Sequence, residues 1–265
     1  MAGQVRVEPW RTGESGAAQN AAVVRVVLDH PGKLNAMSRA MWRELRVVFE
    51  RLQGDTALRC IVVEGAGEAF CAGGDISEYE SFRFAPDTLA AFHEDEVWAG
   101  LNAMLQCDVP MVAAIRGACM GAGVEIASCC DIRIAADNAK FGAPIAKLGF
   151  PMAPKEAALV AGQIGQLKAR QMLLEAAVFG AADMLASGFL SRCQPAEALA
   201  AHVDETVQRM ARLAPQAARL NKQTLRALAA GDTAAPALAQ PYAYADSAEH
   251  REGIAAFIAK RPAQF

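Results

Sequence analysis

Apolar and polar positions follow two rhythms along this chain. Ala22 to Leu28 (AVVRVVL) is short, β-branched and almost continuous, which predicts a strand. Asp29 to Ala36 (DHPGKLNA) breaks it, with Pro31-Gly32 as turn punctuation. From Ser38 the spacing becomes helical. Trp42, Leu45, Val48, Phe49 and Leu52 share one face, Ser38 stands where an N-cap belongs, and the helix is predicted to run to about Gln53. Leu58 to Glu64 (LRCIVVE) predicts the next strand, and strand–helix–strand suggests a parallel crossover. Asp87 to Gln106 reads as a helix whose His93-Glu94-Asp95-Glu96 run is a solvated face. Val109 to Ile115 and Asp131 to Ala135 read as strands, and Phe141 to Pro144 as a short extended piece or turn. After Pro154 the pattern predicts helices only: Lys155 to Gly162, Gln166 to Ala177, Ala181 to Ser187, Pro195 to Leu213, Pro215 to Ala230 and Ala248 to Lys260. A helical layer of this kind needs a sheet core, another subunit or both to cover. Residues 1–20 are weakly patterned and are expected to be partly mobile.

Two glycine-rich stretches interrupt these rhythms. Gly65 to Asp75 (GAGEAFCAGGD) follows a strand, where α/β proteins commonly place ligand sites. It matches neither a Walker A loop nor a full GxGxxG fingerprint. Its small residues can offer backbone N–H groups to a ligand, or form a plain surface turn. Gly117 to Gly149 is the organising stretch. Small residues cluster at Gly117, Ala118, Gly121, Ala122 and Gly123, and an apolar segment with one acid, Glu125, follows. A helix beginning near Gly121 leaves its first N–H groups without intrahelical partners, ready for an anion or a developing oxyanion. Glu125 then sits about one turn in, among apolar neighbours that raise a carboxyl pKa and suit it to proton transfer. The alternative is a buried, satisfied glutamate on an ordinary connection.

At 265 residues the chain makes one large domain or two modest ones, and 53% hydrophobic residues supply a sizeable core. A net charge of −3 argues against nucleic-acid binding by the whole protein. No run approaches the ~20 apolar residues of a membrane span, and no signal peptide is legible. The seven cysteines include no CxxC pair, and Cys129 and Cys130 are adjacent on a predicted helix. That pattern points to free thiols in a reducing, cytoplasmic setting. The four histidines are isolated, so no metal site is expected.

Several segments, in this order, resemble the crotonase superfamily, the enoyl-CoA hydratase/isomerase family: LDHPGKLNAMS (Leu28 to Ser38), AFCAGGDI (Ala69 to Ile76), VPMVAAIRGACMGAGVEIASCCDIRIA (Val109 to Ala135), FGAPIAKLG (Phe141 to Gly149) and EHREGIAAFIAKRPAQF (Glu249 to Phe265). The resemblance implies an α/β spiral of ββα units over residues 21–195. It also implies a C-terminal helical oligomerisation region over 196–265, and homotrimers or dimers of trimers. It implies an acyl-CoA thioester substrate, with coenzyme A as part of that substrate and no separate cofactor. The thioester oxygen would sit between the N–H groups of Ala72 and Ala122; the family usually has glycine where Ala122 stands. Further substrate and CoA contacts are implied for Lys33, Ala36, Ala69, Gly73, Gly74, Asp75, Ile76, Gly121 and Ile145. Phe257 and Lys260 resemble residues that approach the adenine end, sometimes from a neighbouring subunit.

Hydratases of the family usually carry two glutamates. Glu125 falls on the first position, as acid/base, and Ile145 on the second. Isoleucine neither accepts a proton nor holds water, and losing one general acid/base costs about 10²–10⁴ in rate. The readings left open are hydration with a replacement acid, isomerisation, decarboxylation, and acyl-CoA binding with little catalysis. Candidate replacements are Asp75, Glu78 and the Glu94 to Glu96 run, with Tyr79 and His93 as further polar participants; Asp75 reads better as the cap of its own turn. Family members place a glycine-rich run after Gly149. Here Phe150-Pro151-Met152-Ala153-Pro154 predicts a more apolar or reshaped acyl pocket.

Overall fold

In the computed structural model, which describes residues 2–11 and 22–265, the β-branched runs lie side by side in one six-stranded sheet. The strands are β1 (Gln4–Pro9), β2 (Val23–Asp29), β3 (Cys60–Gly65), β4 (Met111–Ile115), β5 (Ala118–Met120), β6 (Ile132–Ala136), β7 (Lys140–Gly142), β8 (Val178–Gly180) and β9 (Arg192–Gln194). The large sheet has the order β1-β2-β3-β4-β6-β9; only β1 runs antiparallel to its neighbour. A three-stranded sheet, β5-β7-β8, stands beside it.

The helices are α1 (Arg39–Gly54), α2 (Pro86–Ala91), α3 (Ala99–Gln106), α4 (Ala122–Ser128), α5 (Pro154–Ile164), α6 (Gln166–Leu174), α7 (Ala181–Ala186), α8 (Leu199–Ala211), α9 (Pro215–Ala230), α10 (Pro236–Ala239) and α11 (Ala248–Ile258). Ser38 caps α1 by accepting the Met41 N–H at 3.2 Å, a cap worth about 1 kcal/mol. The predicted apolar face of α1 is buried, and it packs with α3 over one face of the sheet.

Burial on both faces explains why the parallel strands read as continuous apolar runs. Along β3, Ile61 and Val63 join the core under α1 and α3, while Cys60 and Val62 join a second core closed by Leu199, Val203 and Val207 of α8. The helical layer predicted from the sequence therefore covers the sheet through α8. Lys222 of α9 pairs with Asp131 at 2.8 Å and Arg226 with Asp108 at 2.8 Å, fastening α9 to the loops that lead into β6 and β4.

Three local expectations are corrected. Within the weakly patterned start, Gln4–Pro9 forms an edge strand with Val5 in the core; the remainder of residues 1–20, from 12 onward, lies outside the described residues. After Pro154 two strands follow, β8 and β9, each of three residues and too short for alternation to show. The helix predicted over Asp87 to Gln106 is interrupted by a π-helical stretch, Phe92–Trp98, between α2 and α3. Its acidic run is not uniformly solvated: Glu94 and Asp95 are exposed, whereas Glu96 is buried against Arg39 at 3.0 Å and Arg43 at 3.1 Å.

Candidate active site

The segment after β3 stays close to the protein body. Phe70 N–H donates to Arg116 O, Cys71 N–H to Ala118 O and Met120 N–H to Cys71 O, each at 2.8 Å, so this loop lies against β5 like an added strand. Buried Asn35 fastens the turn after β2 to the same loop, its Nδ2 donating to Ala66 O and Ala69 O at 2.8 Å each. Lys33 Nζ reaches Asp75 Oδ2 at 2.6 Å and Ser77 Oγ at 2.7 Å. Burial works against ionisation of Asp75, but hydrogen bonds from Lys33 and Ser77 outweigh it and hold the pKa below the ordinary value. Asp75 also accepts the Ser77 N–H, as the cap of its own turn.

The two glycine-rich stretches meet where β5 hands over to α4. Gly121 has φ +46°, and a Cβ there would lie 3.6 Å from Gly73 Cα. Gly117, at φ +54°, is more tightly held: a Cβ would come within 2.2 Å of the Glu68 carbonyl oxygen. Left-handed backbone and close approach both call for glycine there. Ala122 is the first residue of α4, so its N–H belongs to the turn that has no intrahelical partner. Glu125 lies one turn further and is 9% exposed. Burial, then the charge of Glu156, pushes its pKa up to about 8.

A cavity of about 330 Å³ opens over this junction, within the size range of small-molecule sites. Eight of the predicted site residues line it: Ala72, Gly73, Gly74, Ile76, Gly121, Ala122, Glu125 and Ile145. Lys33, Ala36, Ala69 and Asp75 are not in the lining; they sit in the turns that support it. Phe257 of α11 and Lys260 beyond it are exposed and line no part of it. The Ala72 N–H donates to the Leu34 carbonyl at 3.0 Å, so one expected oxyanion donor is already engaged.

The far wall is aromatic and aliphatic. Phe150 and Met152 line it with Phe92 and Val97, which puts the run after Gly149 on the cavity wall. Tyr79 meets Phe150 edge to face at 6.0 Å, and the Arg83 guanidinium lies 3.9 Å from the centre of the Phe150 ring.

The acids proposed from sequence as replacements for the Ile145 position lie outside the lining. Asp75 is tied to Lys33, Glu78 accepts the Arg39 N–H at 2.7 Å, Glu94 pairs with Lys155, and Glu96 pairs with Arg39. Tyr79 and His93 do line it. The residue that sequence reasoning missed is Glu156, 2% exposed in the first turn of α5 and part of the lining. Its Oε1 is 3.0 Å from His93 Nδ1. In the sequence it reads as a routine acid two residues after the Pro154 that opens a helix, where the helix dipole favours negative charge. Only its burial marks it out.

The sequence pattern of the enoyl-CoA hydratase/isomerase family matches residues 18–265. A protein described as "Probable enoyl-CoA hydratase" from Mycobacterium tuberculosis is 31% identical over 243 residues, covering 91% of this chain and 93% of the relative. The 2,3-dehydroadipyl-CoA hydratase of Escherichia coli is 31% identical over 255 residues, covering 92% and 94%. Among solved structures, an enoyl-CoA hydratase/carnithine racemase from Magnetospirillum magneticum superposes with a TM-score of 0.89 at 34% identity, covering 93% of each chain.

Proposed function

Since the chain belongs to the enoyl-CoA hydratase/isomerase family and has its fold, we propose that it adds water across the double bond of an enoyl-CoA thioester. The observation that carries this reading is the placement of Glu125 one turn beyond the Ala122 N–H, both on one largely apolar cavity. The acyl chain lies against Phe92, Phe150 and Met152. The thioester oxygen takes a hydrogen bond from Ala122 N–H, and from Ala72 N–H once that donor exchanges the Leu34 carbonyl for the substrate. A donor of this kind, aimed at a developing enolate, is worth about 3–4 kcal/mol in the transition state. Water oxygen bonds to the β-carbon, its proton passing to a base on the cavity wall, and the π electrons move toward the thioester oxygen. The carboxyl of Glu125, protonated at neutral pH, then delivers a proton to the α-carbon.

No resident cofactor is needed, because coenzyme A arrives with the substrate. Lys33 is the proposed contact for the CoA phosphates. Phe257 and Lys260 are proposed contacts at the adenine end, from the same chain or from a neighbouring copy in a homotrimer or dimer of trimers. Exposed Leu225, Leu228, Ile254 and Ile258 on α9 and α11 support that assembly. Among the described residues, no helix is long and apolar enough to cross a membrane.

The test follows loss of the enoyl absorbance with crotonyl-CoA and longer enoyl-CoAs in wild type, Glu125→Gln and Ile145→Glu. Hydration by wild type that falls about 10²–10⁴-fold in Glu125→Gln supports the reading. No hydration by wild type, with acyl-CoA binding intact, refutes it. Ile145 on the cavity wall supports a second reading, double-bond isomerisation by Glu125 alone. In that case product NMR shows a shifted double bond and no hydroxyl.

A further inference from the structure

We propose that Glu156, held by His93, is the second carboxylate of this active site and handles the attacking water in place of the residue missing at Ile145. The inference rests on the hydration reading above and assigns the group that reading lacks.

Among the described residues the cavity lining contains two acids, Glu125 and Glu156. Glu156 is the more deeply buried, and a carboxylate withdrawn from water is expensive unless it is hydrogen-bonded. Here one oxygen is bonded, Oε1 to His93 Nδ1 at 3.0 Å. Among the described residues no hydrogen-bond partner engages Oε2. Anchoring α5 through His93 uses one oxygen and leaves the other free. One held oxygen and one open oxygen on a cavity wall is the arrangement that receives a water molecule, and the cavity has ample room for one. The charge of Glu156 also reaches Glu125, where it opposes ionisation. The two acids therefore face a common space.

The backbone that presents His93 is built for the contact. Phe92–Trp98 is π-helical, and π-helical turns are uncommon and concentrate at functional sites. The wider turn keeps Phe92 and Val97 in the core while His93 faces α5. Phe92 packs edge-on against the His93 ring at 5.1 Å and fixes its plane. His93 is thus a positioning residue.

The proton balance closes. Glu156 carboxylate accepts a proton from water as the water oxygen bonds to the β-carbon. The π pair moves onto the thioester oxygen, and the resulting enolate takes a proton at the α-carbon from Glu125. One water is added to the substrate, and the proton gained by Glu156 matches the one lost by Glu125. Exchange with solvent restores both acids. The titratable and charged groups that bear on Glu156 are His93, Glu125, and Tyr79, Arg83 and Lys147 elsewhere on the wall; neighbouring Lys155 is paired outward with Glu94.

The experiment compares crotonyl-CoA hydration by wild type, Glu156→Gln, His93→Gln, Glu125→Gln and the double variant Glu156→Gln/Ile145→Glu, with butyryl-CoA binding measured in each. Glu156→Gln is expected to lower kcat about 10²–10⁴-fold with butyryl-CoA affinity within threefold of wild type, and to remove the acidic limb of the kcat–pH profile. His93→Gln is expected to lower kcat by a smaller factor and to displace that limb. Restoring a carboxylate at the other position, in Glu156→Gln/Ile145→Glu, is expected to recover at least tenfold of the lost rate, which a purely structural role for Glu156 cannot produce. Hydration that is lost in Glu125→Gln but kept within twofold in Glu156→Gln overturns the role of Glu156 and leaves the hydratase reading standing. Absence of hydration in wild type overturns both. If Glu156→Gln does not fold, His93→Gln decides: an unchanged rate and pH profile overturns the proposal.

Discussion

Replacing Glu125 by Gln should make the protein more stable, by an amount that grows with pH. Burial and the nearby charge of Glu156 raise the Glu125 pKa from 4.5 to about 8. The folded state therefore holds the proton more tightly than the unfolded chain does. That advantage is complete below pH 4.5 and is lost as pH rises through 8, because the unfolded chain ionises freely while the folded one resists. At 1.36 kcal/mol per pH unit, the loss is roughly 1 kcal/mol at pH 5, roughly 3 at pH 7 and roughly 5 at pH 9. Against a typical total of about 5–15 kcal/mol, this is a large share. Glutamine has nearly the same shape and does not titrate, so the variant escapes it. Urea unfolding of both proteins at pH 5, 7 and 9, at one protein concentration, measures the difference. The expected result is a gap that widens by about 4 kcal/mol from pH 5 to pH 9 in favour of the variant. A gap constant within about 0.5 kcal/mol would refute the reasoning, since a pH-independent offset reflects packing alone. The same series on a Glu156→Gln background should widen less, because one source of the raised pKa is gone.

Two further outcomes follow from backbone geometry. Ala122→Pro removes one N–H at the first position of α4, where proline is tolerated; hydration kcat should fall about 10²–10³-fold with the circular dichroism spectrum unchanged, and an unaltered kcat would remove Ala122 from the oxyanion site. Gly117→Ala forces a side chain into left-handed backbone within 2.2 Å of the Glu68 carbonyl; a loss of about 2 kcal/mol or more is expected in urea unfolding, and a change below 0.5 would contradict the close approach of the two loops.

The sequence disclosed what local pattern controls. Ser38 and the face of Trp42, Leu45, Phe49 and Leu52 announced α1, because capping and helical spacing are short-range. The apolar runs of β2 to β4 announced strands, and the helix between the first two announced their parallel pairing. Glu125 stood out as the one acid in an apolar segment behind a glycine-rich entry, and the structure buries it where that pattern put it. What stayed hidden depends on contacts distant in the chain. The strand β1 is recruited by pairing with β2, and β9 by pairing with β6. Glu156 meets His93 across 63 residues, through two segments whose own patterns suggest nothing unusual. The engagement of Ala72 N–H by Leu34 O was equally illegible, since it depends on how two loops dock.

The π-helical stretch carries one further consequence. A turn closed by i→i+5 bonds holds a residue more than the α-helical turn it replaces. Deleting one residue within Phe92–Trp98 would return the segment to regular pitch with α2 and α3 still in register, and would redistribute the side chains inside it, His93 among them, around the axis by up to about 100°. His93 would leave Glu156 although both residues were still encoded. The pairing of His93 with Glu156 is therefore gained or lost by a change in length, and relatives that keep both residue types but lack the extra one will not share the contact.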